Sequence, residues 1–152
     1  MKRSELREAL AEAQVRTTRN RGELGSYGTK DSVEKRLSGL PKTKFKAQGN
    51  ELALEVRVAD SMRSRLVGLA GNHVIPSTNL GLWFPRTQSV HTVGMRFDLD
   101  LIWLGSNGQV LRIDASVPPR RVVCCWAARS VIEVASGMAA AHGLVNGLRL
   151  TA

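Results

Sequence analysis

Apolar and polar residues alternate in short stretches through the second part of the chain. Leu52, Leu54, Val56 and Val58 occupy every second position, which predicts a half-buried strand. Further strands or extended pieces are predicted over residues 80–84, 88–95, 99–104, 109–113, 122–126, 130–134 and 148–150. About seven short strands separated by glycine, proline and asparagine signals favour a mostly β fold with a small, barrel-like closed sheet.

Helical spacing is found in three places. Leu6, Ala9, Leu10 and Ala13 follow the i, i+3, i+4, i+7 pattern and predict a helix over residues 4–16. A short helix is expected near residues 60–70, and one or two helical turns over residues 136–143. The Asn107-Gly108 pair between two predicted strands is typical of a tight hairpin turn.

Charge and apolar content change near residue 50. Residues 1–50 hold 12 Lys/Arg, including all six lysines, against 6 Asp/Glu, and only 14 apolar residues. Residues 51–152 hold 10 arginines against 7 Asp/Glu, and 51 apolar residues. A segment with so few apolar residues cannot bury much surface alone. We therefore predict a basic, partly helical arm over residues 1–50 and a compact domain over residues 51–152.

No targeting segment is evident in the sequence. The N-terminal residues lack the apolar stretch of a secretory signal, and the longest apolar run, residues 122–128, is too short to span a membrane. We expect a cytoplasmic protein, or a component of a particle assembled inside the cell, without membrane association. The adjacent Cys124 and Cys125 make a poor structural disulfide, so reduced thiols are expected.

Several spaced motifs resemble one protein family. They are Gly81-Leu82-Trp83-Phe84, the stretch from Val90 to Asp100, Val117-Pro118-Pro119, and the stretch from Val131 to Gly137. In this order, with the Asn-Gly turn between the second and third, they resemble the small bacterial and archaeal family called domain of unknown function 192, over residues 51–152. The resemblance implies a compact, mostly β, barrel-like fold with short helices, and it implies no established activity or cofactor.

The densest polar cluster suggests a pocket. His91, Thr92, Met95 and Asp100 lie close together in an apolar stretch, and Glu133 stands between two apolar residues of a predicted strand. These side chains would hold a small ligand or act as acid and base. The alternative is structural: Asp100 caps a backbone turn and His91 satisfies buried carbonyls. Since no third partner is identifiable, we favour the structural interpretation and assign no catalytic residue.

No cofactor or metal is expected. The three histidines and the vicinal cysteine pair match no zinc-ligand spacing, and no glycine-rich stretch matches a phosphate-binding loop in its proper context. Cys124 and Cys125 are best explained as small buried hydrophobes.

The arm provides the second functional signal. Lys42, Lys44, Phe45 and Lys46 interleave charge with an aromatic ring, and Leu6 and Leu10 form an apolar stripe. A solvated tail explains such a segment equally well. We favour a non-enzymatic assembly or binding module that docks on a larger protein or nucleoprotein assembly, such as a virion, through this arm. A small-molecule binder or hydrolase using the predicted pocket is one alternative, and non-specific nucleic-acid binding through the arm is another.

Overall fold

The computed structural model describes residues 37–59 and 79–152 of the 152-residue chain. In these parts the chain forms strands and one short helix: β1 (Lys42–Ala47), β2 (Asn50–Val58), β3 (Leu80–Pro85), β4 (Ser89–His91), β5 (Leu99–Leu104), β6 (Val110–Val117), β7 (Val122–Cys124), β8 (Ser130–Ala135), α1 (Met138–Ala141) and β9 (Leu150–Thr151). The predicted helices at residues 4–16 and 60–70 lie outside the described residues. The mostly β class and the short helix after β8 are confirmed.

The strands form two sheets. Seven pair in the order β6-β5-β8-β3-β2-β1-β9, and β4 pairs with β7 in a separate two-stranded sheet. All the ladders are antiparallel except that between β2 and β3, which is parallel. The predicted closed, barrel-like sheet is not confirmed, because the strand order runs from β6 to β9 as an open sheet.

Backbone contacts nevertheless connect the two edges of the large sheet at one end. Gln109 and Arg149 form an isolated antiparallel bridge. The N–H of Val110 donates to the carbonyl of Leu148 at 2.8 Å, and the N–H of Leu150 donates to the carbonyl of Gly108 at 2.9 Å. The backbones approach so closely that a Cβ at Gly108 would collide with the carbonyl oxygen of Leu150. Glycine is therefore required at position 108 for two reasons: there is no room for a Cβ, and the backbone has a positive φ of 76°.

The centre of the large sheet is buried on both faces. We call one the Trp103 face, where Trp103 packs in one apolar cluster with Leu82, Leu101 and Val131. The other is the Ile102 face, where Ile102 packs in a second cluster with Ile132, Val134 and Met138 of α1. Because side chains alternate along a strand, β5 and β8 supply both clusters, and all six residues of each are buried.

β1 corrects the predicted boundary of the domain. Residues 42–47 were expected in the arm, but they pair with β2 on one side and β9 on the other. Phe45 is 3% exposed and its ring meets Trp83 edge-on at a centroid distance of 5.3 Å. Burial of Phe45 explains why this lysine-rich segment joins the sheet. The sequence signal was present in the alternation of Thr43, Phe45 and Ala47 with the lysines.

Two hairpin turns differ in how they use the left-handed region. Between β1 and β2, Gln48 and Gly49 have φ of 52° and 82°, the pattern of a two-residue type I′ turn. In the predicted Asn107-Gly108 turn only Gly108 has a positive φ, and its N–H donates to the carbonyl of Gly105 at 3.1 Å. The hairpin between β5 and β6 is confirmed, as a longer turn that ends in a left-handed glycine.

Replacing Gly108 with alanine should destabilise the fold by at least about 2 kcal/mol, because left-handed strain adds to a backbone collision with Leu150. The matched control is Gly147→Ala, where φ is 87° but no atom lies within 4 Å of the new Cβ. It should cost about 1 kcal/mol. Equal losses for the two variants in urea unfolding would contradict the close approach of the sheet edges.

Candidate functional site

Asp100 is a buried carboxylate on the Ile102 face, with 1% of its surface exposed. Its Oδ1 accepts the N–H of Ser116 at 2.9 Å and its Oδ2 accepts the N–H of Ala139 at 3.0 Å. The N–H of Gly137 is a third partner. Burial raises the pKa of Asp100, and these three N–H groups partly offset that effect because they favour the charged form. The carboxylate therefore caps the start of α1.

Asp100 also stabilises an irregularity in β6. Leu99 pairs with Val117 and Leu101 pairs with Asp114, so that two residues of β6 lie opposite Asp100. Ser116, one of the two, has a positive φ of 53°. Such a bulge leaves a backbone donor without a ladder partner, and the Asp100 carboxylate accepts from it. The structural interpretation of Asp100 agrees with this geometry.

Thr92 and Met95 also hold the backbone and the core. Thr92 is fully buried; its Oγ1 donates to the carbonyl of Pro118 at 2.7 Å and accepts the N–H of Arg121 at 2.9 Å. Met95 packs in the cluster on the Trp103 face, and its N–H donates to the carbonyl of Thr92. Both residues fix the turn after β4 against the Pro118-Pro119 corner.

His91 is exposed at the end of β4, directly opposite Val122 of β7. The structural interpretation proposed that His91 satisfies buried carbonyls, but among the described residues its exposed side chain donates to none. Its imidazole is on the outer side of the two-stranded sheet, whereas the next residue, Thr92, is buried. Only the position of His91 beside Thr92 links it to the rest of the predicted pocket.

Glu133 is buried in the centre of β8, with 7% of its surface exposed. Its cross-strand neighbours are Leu82 on β3 and Leu101 on β5, which places it on the Trp103 face. Within residues 37–59 and 79–152, no hydrogen bond or ion pair reaches its carboxylate. Burial raises the pKa of Glu133 to about 8, so the carboxyl is largely protonated at neutral pH.

The structure does not gather the five predicted pocket residues. Asp100 pairs with Val134, whereas Glu133 pairs with Leu101, the residue after Asp100. Successive residues of a strand point to opposite faces, so the two carboxyls are separated by the sheet. His91 is on neither face of the large sheet. The sequence analysis predicted one common site, but the strand register places these residues on different faces.

The predicted lysine-rich surface is partly neutralised. Lys42 forms an ion pair with Glu55 at 3.1 Å, and Lys44 forms one with Glu51. Arg57 also contacts Glu55 at 2.7 Å. The hydrogen bond from Lys42 lowers the pKa of Glu55. Leu6 and Leu10, the apolar part of the predicted arm, lie outside the described residues.

A surface that the sequence did not indicate surrounds the small sheet. Residues 86–92 run antiparallel to residues 120–129, and we call this pair of segments the β4–β7 ribbon. Its hydrogen bonds extend past the strands: Thr87 N–H donates to the carbonyl of Arg129 at 3.2 Å, and Arg120 N–H donates to the carbonyl of Thr92 at 3.0 Å. The inner side packs on the Trp103 face through Val90, Val123 and Cys125.

Exposed apolar side chains mark the outer side of the β4–β7 ribbon. Val122 is 71% exposed and Trp126 is 74% exposed. Val93, just past the ribbon, is 56% exposed. In the sequence, Val122 and Trp126 belong to the apolar run of residues 122–128, which favours burial. The available signal was the two-residue alternation that places Val122 and Cys124 opposite Val123.

A polar network fastens the β4–β7 ribbon to the hairpin of β5 and β6. Arg112 donates to the carbonyl of Cys124 at 2.7 Å and to Asp114 at 3.0 Å. Trp103 Nε1 donates to the same carboxylate oxygen of Asp114 at 2.7 Å. The Arg112 guanidinium also lies 5.7 Å from the centre of the Trp103 ring. Both Cys124 and Cys125 are free thiols.

The part of the chain that the structure describes contains no group of three or more His, Cys, Asp or Glu side chains placed to hold a metal ion. It also contains no helix long and apolar enough to cross a membrane.

Comparison with known proteins identifies the family. Residues 43–152 match the family DUF192, described as "Uncharacterized ACR", and the chain belongs to this family. The match begins inside β1, in agreement with the corrected domain boundary. No curated protein matches the chain.

Two solved structures share the fold. One is a proposed transcription regulator from Sinorhizobium meliloti 1021, with a TM-score of 0.64 and 19% identity over 74% of this chain and 94% of that one. The other is a protein of unknown function from Novosphingobium aromaticivorans DSM 12444, with a TM-score of 0.65 and 17% identity over 88% of this chain and 96% of that one. At these identities the likeness concerns the fold alone.

Asp100→Ala should lower the free energy of unfolding by about 3 kcal/mol, because it leaves the buried N–H of Ala139 and the part-buried N–H of Ser116 without their acceptor. The control is Asp98→Ala, an exposed carboxylate on the same segment, which should change stability by less than about 0.5 kcal/mol. Chemical denaturation measures both. If Asp100→Ala is as stable as the wild type, the structural role of Asp100 is contradicted and a functional role is favoured.

Glu133 should make stability depend on pH. Its pKa is about 8 in the folded protein against an ordinary 4.5, so the folded state holds an extra proton between these values. The contribution of Glu133 to stability should be fully present below pH 4.5 and fall by on the order of 4 kcal/mol as pH rises to 8. Glu133→Gln should remove this fall, whereas the exposed Glu51→Gln should keep it. Parallel curves of unfolding free energy against pH for the wild type and Glu133→Gln would contradict the raised pKa of Glu133.

Proposed function

We propose that this protein is a non-enzymatic binding module, a small β domain that docks on a larger protein or nucleoprotein assembly. The separation of Asp100 from Glu133 by the large sheet supports this proposal most directly. An acid–base pair must reach one reacting group, and two carboxyls on opposite faces cannot do so. Asp100 and Thr92 are also fully used in holding the backbone.

The distribution of exposed apolar side chains supports docking. Five large hydrophobic residues of the described chain are exposed, and three of them, Val93, Val122 and Trp126, lie on or beside the β4–β7 ribbon. An exposed indole is a common anchor in interfaces, because it contributes much contact area for little conformational entropy. The β4–β7 ribbon is thus one contact surface of the proposed module.

The arm is the second contact in this proposal, now restricted to the residues before β1. Lys42, Lys44 and Lys46 lie in the sheet, and two of them already pair with glutamates. Docking through the arm therefore depends on the apolar stripe of Leu6 and Leu10 and on the basic residues near it.

The test uses the full-length protein, tagged and isolated from cells that express it. A macromolecular partner should co-purify, and the purified partner should rebind in a fixed ratio by analytical ultracentrifugation. Trp126→Ala and a Leu6→Asp, Leu10→Asp double variant should each weaken rebinding by about tenfold or more. Val145→Ala, which removes another exposed apolar side chain away from the β4–β7 ribbon, is the control.

Two results would overturn the proposal. The first is a partner that rebinds all these variants equally. The second is a small molecule that co-purifies in native mass spectrometry and is lost from His91→Ala, because this would support the small-molecule alternative.

A further inference from the structure

Basic side chains without acidic partners lie along the β4–β7 ribbon. Arg86 and Arg129 stand at one end, adjacent across the two segments, since Thr87 N–H donates to the Arg129 carbonyl. Arg120 and Arg121 stand at the other end, beside Thr92. All four are exposed, and within the described residues none forms an ion pair. Like charges so placed repel one another unless an anion lies between them.

Most acidic residues of the described chain are buried or already paired, and Asp98, just before β5, is exposed without an ion pair among the described residues. Asp100 and Glu133 are buried. Glu51 and Glu55 are occupied by the lysines of β1. Asp114, the carboxylate connected to the β4–β7 ribbon, accepts from both Arg112 and Trp103. Four of the eight described arginines of residues 51–152 therefore lie at this surface, and two more, Arg96 and Arg149, are exposed outside it.

Trp126 lies between the two arginine pairs. It is 74% exposed, and its backbone is fixed because Gln88 Nε2 donates to its carbonyl at 2.6 Å. Val122, four residues away, is 71% exposed. A segment from residue 86 to residue 92 in extended conformation spans roughly 20 Å. The surface thus presents cations at both ends of a short track and an aromatic ring within it.

We propose that the β4–β7 ribbon binds single-stranded nucleic acid, with phosphates on the arginines and a base stacked on Trp126. This rests on the proposed binding function and names the chemistry of its partner. A single strand supplies regularly spaced negative charges together with flat aromatic bases, and both match the surface. An acidic peptide would match the arginines but offers no ring for Trp126. A duplex keeps its bases stacked away from such a surface.

The experiment measures binding of full-length protein to a fluorescein-labelled 12-nucleotide oligothymidine by anisotropy, at 50 and 200 mM salt. Trp126→Ala should weaken binding by about tenfold, within the range known for base stacking. A double variant, Arg120→Gln with Arg121→Gln, should also lower the slope of log affinity against log salt by about 1.4, because each lost phosphate contact contributes about 0.7. Quenching of the protein's tryptophan fluorescence on binding should disappear in Trp126→Ala.

The matched control removes the same charge elsewhere. Lys46→Gln with Arg149→Gln changes two exposed basic residues off the β4–β7 ribbon, near β9, and should leave the affinity for oligothymidine within about twofold of wild type. Thermal melts of all variants should agree, which separates lost binding from lost folding.

Three outcomes would overturn the proposal. They are absence of binding at 50 mM salt, equal weakening by the control pair, and an affinity unaffected by Trp126→Ala. Tighter binding of polyglutamate than of oligothymidine would assign the surface to an acidic protein instead. In that case the proposed binding function stands if the isolated partner still depends on Trp126. If no partner rebinds in either experiment, both proposals fail.

Discussion

The carboxylate of Asp100 is the interaction on which the rest of the described fold depends. It accepts N–H groups from the bulge in β6 and from the start of α1, two segments that meet nowhere else through a ladder. A four-residue helix cannot stabilise its own first turn, and a left-handed Ser116 leaves its N–H out of the sheet. One buried anion satisfies both. Burial raises the pKa of Asp100, and the three N–H groups offset part of that effect.

The two-sided sheet determines what the other polar groups can do. Because both faces of β5 and β8 are buried, every polar residue on these strands is either hydrogen-bonded or neutral. Asp100 is hydrogen-bonded. Glu133 is largely neutral, because burial holds the pKa of its carboxyl at about 8. The same burial removes both carboxyls from the surface of the described domain.

The burial of Asp100 and Glu133 also affects the charge of the protein surface. Most carboxylates of the described residues are buried or paired, and the four exposed arginines of the β4–β7 ribbon form no ion pair among those residues. The ribbon is not an isolated hairpin, because Val90 and Val123 pack on the core and Arg112 fastens Cys124 to β6. A surface held in this way presents its side chains in fixed positions, which lowers the entropic cost of binding.

The sequence by itself determined the mostly β class, the strands from β2 to β9, the hairpin at Gly108 and the family. Alternation and turn residues are local properties, and they suffice for elements whose partners are near in sequence. It did not determine the role of residues 42–47, because lysines obscured the alternation that buries Phe45. Nor did it separate Asp100 from Glu133 or bring Arg86 beside Arg129. Those depend on the register between distant strands, where a shift of one residue moves a side chain to the opposite face. Only the tertiary structure fixes that register.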